Sequence, residues 1–194
     1  MTTTHLLYLH GFRSSPQAAK ARQMAAHVAR HHPGVTFWCP QLPPSPQAAM
    51  ALVAQGIADW SGEAMGVVGS SLGGFYASWV AQHKSCASVM LNPAVHPARD
   101  LTRYIGEQTT WHDPAERFYF RPEYIDELQA LDTSARPPAA REMAIIAKGD
   151  EVLDWREMVA RYTAARVVLL EGGEHALLNF EEHLPAVAEF LALA

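Results

Sequence analysis

Residues 65–74 have the sequence MGVVGSSLGG, in which an apolar run leads directly into a glycine-rich turn. The turn matches the pattern G-x-S-x-G with Ser71 at its centre. Ser70 is out of register, because Val68 stands where that serine would need a glycine. This pattern is typical of a sharp turn between a strand and a helix, where the backbone is strained and neighbouring side chains have no room. We therefore predict that Ser71 projects its hydroxyl above the end of a strand as a nucleophile.

The regions on either side of this turn alternate short apolar runs with amphipathic stretches. Six runs have the length of buried strands: 6–9, 35–39, 64–68, 87–91, 143–147 and 167–170. The longer stretches predict helices over 16–31, 47–60, 72–82, 154–162 and 180–193. Such alternation indicates a mainly parallel six-stranded sheet with helices on both faces. Together with the serine turn, it predicts an α/β-hydrolase fold, formed as one domain over residues 1–194.

The serine also needs partners, because its hydroxyl is a poor nucleophile unless a base accepts its proton and an acid orients that base. In α/β-hydrolases the acid and then the histidine follow the serine, each on a loop after a later strand. His175 follows two glycines after the sixth predicted strand, and Asp150 is the first acidic residue after the fifth. We predict Ser71, His175 and Asp150 as a triad. Glu151 and Asp154 remain alternatives for the acid, although Asp154 resembles the N-cap of the next helix.

Two backbone amides are predicted to stabilise the negative oxygen that forms on an attacked carbonyl. One belongs to Leu72, directly after the serine, and the other to Phe12, after the strand-ending pair His10-Gly11. The His10 ring is expected to hold this loop rather than to transfer protons. Arg13 either binds an anionic group of the substrate at the mouth of the site or is simply solvated.

The segment 96–141 differs from the rest of the chain, because prolines and aromatic residues alternate with charges and no strand is predicted. We predict two or three short helices in it, among them 97–105 and 122–131. A connection of this length in a small domain usually has a function, so we predict a helical cap over the site. Three of its aromatic residues offer an apolar wall for an acyl chain, or else anchor the cap to the body: Trp111, Phe118 and Phe120.

The composition argues against several kinds of partner. The formal net charge is −5 and no run of Lys or Arg is present, so nucleic acid is not an expected partner. No apolar stretch approaches the roughly 18 residues of a membrane span, and no signal-peptide pattern is found, so we expect a cytoplasmic protein without a membrane partner. Cys39 and Cys86 lack metal-ligand spacing and are expected to be reduced core thiols. We expect neither a metal nor a cofactor.

Four stretches, taken in order, resemble a known family: YLHGFRSSP at 8–16, GSSLGGFYA at 69–77, LNPAV at 91–95 and GDEVLD at 149–154. They look like the YqiA-like esterases, small bacterial α/β-hydrolases, and the similarity extends over nearly the whole chain. The resemblance implies activity on short acyl esters and on thioesters such as acyl-CoA. It also implies a cytoplasmic location and a triad at Ser71, Asp150 and His175.

The predicted function is therefore hydrolysis of a small-molecule acyl ester or thioester by a serine esterase, through an acyl-enzyme intermediate. A thioesterase or a C–C hydrolase would use the same triad, and a peptidase is a weaker alternative. A binding protein that kept the fold and lost catalysis is an alternative from another class. The sequence does not indicate an oligomeric state.

Overall fold

The computed structural model describes residues 2–135 and 141–194. The strands are β1 (His5–Leu9), β2 (Thr36–Trp38), β3 (Met65–Ser70), β4 (Ala87–Leu91), β5 (Gly106–Thr109), β6 (Arg117–Phe120), β7 (Glu142–Ala147) and β8 (Arg166–Leu170). The α-helices are α1 (Ala19–His31), α2 (Pro46–Gly56), α3 (Leu72–Lys84), α4 (Pro97–Leu101), α5 (Glu123–Ala130), α6 (Trp155–Arg161) and α7 (Leu184–Leu191). Short 3₁₀ turns follow α4 at Thr102–Tyr104 and precede α7 at Phe180–His183.

Six strands form one parallel sheet in the order β2-β1-β3-β4-β7-β8, which confirms the predicted α/β fold. The chain runs outward from β1 to β2 and then returns to place β3 on the other side of β1. Ligands of open parallel sheets bind at the carboxyl ends of the strands where the order reverses in this way. Leu9 pairs with Gly69 and Ser70 pairs with Leu91, so the loops after β1, β3 and β4 leave the sheet at the same edge.

The two faces of the sheet are covered by different helices. Apolar side chains of α2, α3 and α5 form one core with alternate residues of β1 and β3, such as Leu7 and Val67. Those of α1 and α7 form another with the residues between, such as Leu6 and Val68. The central strands β3 and β4 are buried along their whole length, which explains why their sequences are continuous apolar runs.

The prediction of no strand between 96 and 141 was wrong, because β5 and β6 form an antiparallel hairpin there. The β5 sequence, GEQT, is polar and has one β-branched residue, so it carries little strand signal. A two-stranded hairpin is marginal alone and depends on packing against the rest of the protein. The predicted helix over 97–105 is also shorter, since α4 ends at Leu101 and a 3₁₀ turn follows.

Residues 136–140 of the predicted cap lie outside the described residues, and its boundaries at 96–141 stay a prediction. Within 2–135 and 141–194, no helix combines the length and the apolar character needed to cross a membrane.

Candidate active site

Ser71 lies in the turn between β3 and α3 with φ of 56° and ψ of −120°, a conformation that residues other than glycine rarely adopt. Neighbouring backbone groups hold it there. The Ser71 N–H donates to the Leu91 carbonyl at 3.0 Å, and the Ser71 carbonyl accepts from the N–H groups of Gly74 at 2.9 Å and Ala94 at 3.0 Å. The strained turn is thus fixed by hydrogen bonds to the loop after β4.

The two glycines of the G-x-S-x-G pattern are required by close backbone contacts. A Cβ on Gly69 would overlap the carbonyl group of Gly73, and a Cβ on Gly73 would overlap the carbonyl group of Leu9. The two glycines therefore allow the start of α3 to pack closely against the ends of β1 and β3.

A chain of hydrogen bonds connects the three predicted triad side chains. His175 Nε2 lies 3.0 Å from Ser71 Oγ, and His175 Nδ1 lies 2.7 Å from Asp150 Oδ2. The Asp150 side chain is fully buried, whereas that of His175 is 20% exposed. A base in this position has a nucleophile on one nitrogen and an orienting carboxylate on the other.

The three acidic candidates have separate places. Asp150 is the one that contacts the imidazole, and its Oδ1 also accepts the N–H groups of Val152 and Leu153, each at 2.8 Å. Glu151 accepts the backbone N–H of His175 at 3.0 Å. Asp154 accepts the N–H of the second residue of α6 at 2.9 Å, as an N-cap does.

The amides of Phe12 and Leu72 belong to residues that line the cavity beside Ser71. Leu72 is the first residue of α3, so its N–H has no acceptor within the helix. Neither amide is paired with a backbone carbonyl of the described chain. Their role in an oxyanion hole stays a prediction.

His10 connects the loop after β1 to the proline-rich loop after β2. Its Nδ1–H donates to the Gly11 carbonyl at 2.9 Å, and its Nε2 accepts the Leu42 N–H at 3.0 Å. Burial lowers the pKa of His10, which favours the neutral ring that this pair of bonds requires. Its contacts are those of a residue that holds the loop.

Asn92 is a supporting residue that the sequence analysis missed. It is fully buried at the end of β4, and its Nδ2 donates to the carbonyls of Glu174 at 3.1 Å and His175 at 3.3 Å. Its Oδ1 accepts the Ala147 N–H at 2.8 Å. The amide thus ties the loop of the candidate base to the end of β7. The signal available in the sequence was an Asn directly after a buried strand that neighbours the strand of the nucleophile.

Two cavities meet at Ser71 and His175. The insertion-side cavity, about 350 Å³, lies beneath α4 and has an apolar lining that includes Leu72, Ala94, Pro97, Leu101, Tyr104 and Leu153. The α1-side cavity, about 290 Å³, is lined by residues of α1 and its preceding loop, among them Ser14, Lys20 and Gln23. A carbonyl carbon at Ser71 would border both cavities.

Arg13 and Trp111 form a latch at the mouth of these cavities. Trp111 is 70% exposed, lines both cavities and lies beneath the Arg13 guanidinium, 4.2 Å from it. The Trp111 N–H donates to the Arg13 carbonyl at 2.8 Å, and Arg13 Nη2 donates to Thr109 Oγ1 at 2.9 Å. Through these contacts with Thr109 and Trp111, Arg13 holds the β5–β6 hairpin against the loop that contains Phe12.

Phe118 and Phe120 are placed differently from Trp111. Both rings pack edge-on against Phe12, with centroids 6.0 and 5.1 Å away, and Phe120 is 1% exposed. Neither lines the two cavities at Ser71. Their position corresponds to the anchoring alternative for the cap aromatics.

The two cysteines line neither of the cavities at Ser71. Cys39 and Cys86 are free thiols, and burial raises the pKa of each to about 12. Among the residues whose placement is described, no group of three or more His, Cys, Asp and Glu side chains is arranged to hold a metal ion.

Comparison with known proteins gives a family match and several structural matches. The model of a family described as Uncharacterised protein family UPF0227 matches residues 5–192. Est1E from Butyrivibrio proteoclasticus is 16% identical, with a TM-score of 0.76 over 98% of this chain and 87% of that one. A metagenome-derived lipolytic enzyme of the LipS and LipT pair is 18% identical, with a TM-score of 0.76 over 98% and 94%. The mouse α/β-hydrolase domain-containing protein 10 is 16% identical, with a TM-score of 0.73 over 98% and 90%. These matches establish the α/β-hydrolase fold.

Proposed function

The chain belongs to the UPF0227 family, also called the YqiA family, and from that premise we propose that it is a serine esterase acting on carboxylic esters of small molecules. The observation that carries the proposal is the hydrogen-bonded series Ser71–His175–Asp150, with distances of 3.0 and 2.7 Å at a strained strand-to-helix turn. Esterases and lipolytic enzymes among proteins of the same fold support it.

In the proposed first step, His175 Nε2 takes the proton of Ser71 while Oγ attacks the substrate carbonyl carbon. Asp150 keeps the Nδ1–H of His175 in place and stabilises the imidazolium. The carbonyl oxygen becomes negative and accepts the N–H groups of Phe12 and Leu72. Each such donor commonly contributes about 3 kcal/mol to the stability of the transition state.

The intermediate then collapses to an acyl-enzyme. His175 returns its proton to the departing oxygen, and the bond between that oxygen and the carbonyl carbon breaks. A water molecule takes the place of the alcohol, loses a proton to His175, and releases the carboxylic acid from Ser71 by the same steps. A thioester has the same carbonyl and would follow the same course with a thiol as leaving group.

The insertion-side cavity is the proposed site of the acyl chain. Contact with Leu72, Ala94 and Leu101 would remove the apolar surface of an acyl chain from water. The cavity volume of about 350 Å³ favours short chains. We further propose that the enzyme acts in the cytoplasm, as its resemblance to the YqiA-like esterases implies.

The test is hydrolysis of p-nitrophenyl esters from acetate to palmitate by the wild type, Ser71→Ala and His175→Ala. Activity should be greatest with short chains and fall by at least about a thousandfold in each variant, because triad members act as a unit. Ser70→Ala is the matched control, since Ser70 is the last residue of β3, directly before the nucleophile, and its hydroxyl takes no part in the proposed proton or acyl transfer.

Labelling with a fluorophosphonate probe separates the nucleophile from the choice of substrate. The wild type and Ser70→Ala should be labelled, and Ser71→Ala should not. Wild-type activity in Ser71→Ala would refute the mechanism. Labelling of Ser71 without hydrolysis of any ester would keep the nucleophile and reject the substrate class.

A further inference from the structure

The two cavities at Ser71 differ in the charges of their walls. The insertion-side cavity has two guanidinium groups, Arg13 and Arg103, and two carboxylates, Asp100 and Glu151, so its formal charges balance. Of the described residues that line the α1-side cavity, Lys20 is the sole Lys, Arg, Asp or Glu. A ligand in the α1-side cavity therefore meets one positive charge that no carboxylate of the same wall neutralises.

Lys20 is half-buried on the first turn of α1, and its amine is fixed at the site. Its Nζ donates to the carbonyl of Ala176, the residue after the candidate base. An ammonium group has three N–H donors, so two remain for a ligand. The hydrogen bond to the Ala176 carbonyl orients the amine and leaves two of its N–H groups for a ligand.

The two carboxylates that act on Lys20 are hydrogen-bonded to other groups. Asp150 and Glu174 both favour the charged form of Lys20, but neither lines the α1-side cavity. Asp150 accepts two backbone amides and the imidazole, and Glu174 accepts the Leu178 N–H at 2.6 Å. The group presented to the cavity is thus the ammonium.

We propose that the α1-side cavity binds the leaving group of the ester and that Lys20 selects leaving groups carrying a negative charge, such as a carboxylate or a phosphate. This inference rests on the proposed esterase function. The assignment of the leaving group to this cavity follows from the four substituents of the carbonyl carbon in the tetrahedral intermediate. One is Ser71 Oγ, and the second is the oxygen that accepts the amides of Phe12 and Leu72. The acyl chain takes the insertion-side cavity, which leaves the α1-side cavity for the alcohol.

The position of His175 agrees with this assignment. His175 lines both cavities, so the residue that returns the proton also borders the space assigned to the departing oxygen. A leaving group with an anionic substituent would place its oxygen near His175 and its charge near Lys20.

The test compares two butyrate esters, meta-carboxyphenyl butyrate and its methyl ester, meta-(methoxycarbonyl)phenyl butyrate. The ratio of their kcat/KM values is measured in the wild type, Lys20→Met, Lys20→Arg and Arg22→Met. Comparison of the ratio between variants cancels the intrinsic reactivity of the two esters. It also cancels any general loss of activity from the missing contact with Ala176.

Lys20→Met should lower the anionic-to-neutral ratio by about five- to tenfold, as expected for a hydrogen-bonded charge at a half-exposed site. Lys20→Arg should keep most of the ratio, since it keeps the charge. Arg22→Met should leave the ratio unchanged, because Arg22 is an exposed residue of the same helix outside the cavity. An equal ratio in the wild type and Lys20→Met would overturn the inference.

A second substrate pair checks which half of the ester meets Lys20. Phenyl succinate carries its carboxylate on the acyl side, and its methyl ester is neutral. The ratio of the kcat/KM values of these two esters should be the same in the wild type and Lys20→Met. A Lys20-dependent ratio for this pair and not for the first would reject the leaving-group assignment.

The failure of this inference is distinguishable from that of the proposed function. If the neutral ester is hydrolysed and Ser71→Ala abolishes the reaction, the esterase stands whatever the ratio shows. If no ester is hydrolysed through Ser71, both proposals fall. Should Lys20→Met not fold, inhibition of the wild type by meta-hydroxybenzoate and meta-hydroxybenzamide tests the same cavity. Tighter inhibition by the carboxylate is expected, and equal inhibition would overturn the inference.

Discussion

The strand-end loops that hold the candidate triad and the hairpin β5–β6 that lies over them are fixed in different ways. Each triad residue is held by hydrogen bonds: Ser71 and His175 by distant parts of the chain, and Asp150 by the nearby amides of Val152 and Leu153. The hairpin is attached mainly by rings that pack edge-on against Phe12, with the latch of Arg13 and Trp111 in addition. Directional bonds position reacting atoms, whereas apolar contacts mainly hold a segment in place.

This difference suggests a division between chemistry and selection. Changes at the strand ends should affect turnover of every substrate. Changes in the hairpin should affect stability or the choice of substrate while the reaction itself continues.

The largest expected effect is that of Asp150→Asn. The amide would favour the wrong tautomer of His175, so kcat should fall by about ten thousandfold with little change in KM. Ester hydrolysis under saturating substrate measures this effect. Glu151→Gln is the control, because glutamine still accepts the His175 N–H, and its loss should stay below about tenfold. Equal losses in the two variants would mean that the carboxylates share the role.

A second expected effect concerns stability of the hairpin. Phe120→Ala should lower the free energy of unfolding by about 3–5 kcal/mol, since a fully buried ring that contacts Phe12 and Tyr124 is lost. Trp111→Ala should change it by at most about 1 kcal/mol, because Trp111 is 70% exposed and alanine keeps the backbone bond to Arg13, yet it should raise KM. Urea unfolding and ester kinetics on both variants separate anchoring from substrate contact. A destabilised Trp111→Ala with an unchanged KM would reverse the assignment.

The third expected effect concerns the tight start of α3. Gly73→Ala should lower the free energy of unfolding by about 3 kcal/mol, because its Cβ would overlap the Leu9 carbonyl. Gly34→Ala is the matched control, since a Cβ there meets no atom within 4 Å, and its effect should stay within about 0.5 kcal/mol. Chemical unfolding measures both. A stable Gly73→Ala would show that the turn relaxes more easily than its contacts indicate.

The smallest expected effect is a pH dependence of the preference for anionic leaving groups, which we assign to Lys20 in the α1-side cavity. Burial lowers the pKa of Lys20 to about 8, and the nearby Asp150 and Glu174 offset part of that shift. The amine is protonated below this pKa and neutral above it, so the preference for an anionic leaving group should decline as the pH rises through about 8. The ratio for the two butyrate esters, measured from about pH 6.5 to 9.5, tests this. Lys20→Arg should keep a constant ratio, because arginine stays charged throughout.

The parts of this molecule that were predictable from sequence follow local rules. Buried parallel strands need continuous apolar runs, and the turn at Ser71 needs glycines two residues away on each side. The order of acid and histidine after the serine then selected Asp150 and His175. Position after the strand favoured Asp150 over Glu151, but the adjacent carboxylates look alike in sequence, and their different contacts with His175 are visible only in the structure.

The parts that were missed depend on contacts between distant residues. Asn92 acts on the backbone of residues 82 and 83 positions later in the chain, and Lys20 meets a carbonyl 156 positions away. The hairpin is stabilised by Phe12, not by the alternation of its own sequence. Such roles leave no periodic pattern along the chain, so they become visible only once the sheet brings the loops together.

The exposed indole of Trp111 has a consequence for optical spectroscopy. It lines both cavities beneath the Arg13 guanidinium, and the other four tryptophans of the chain line neither cavity. Any occupant of either cavity would replace water against this ring and change its fluorescence emission. A titration of Ser71→Ala with intact ester, followed at the tryptophan emission maximum, would therefore record binding without turnover, and Trp111→Phe would remove the signal.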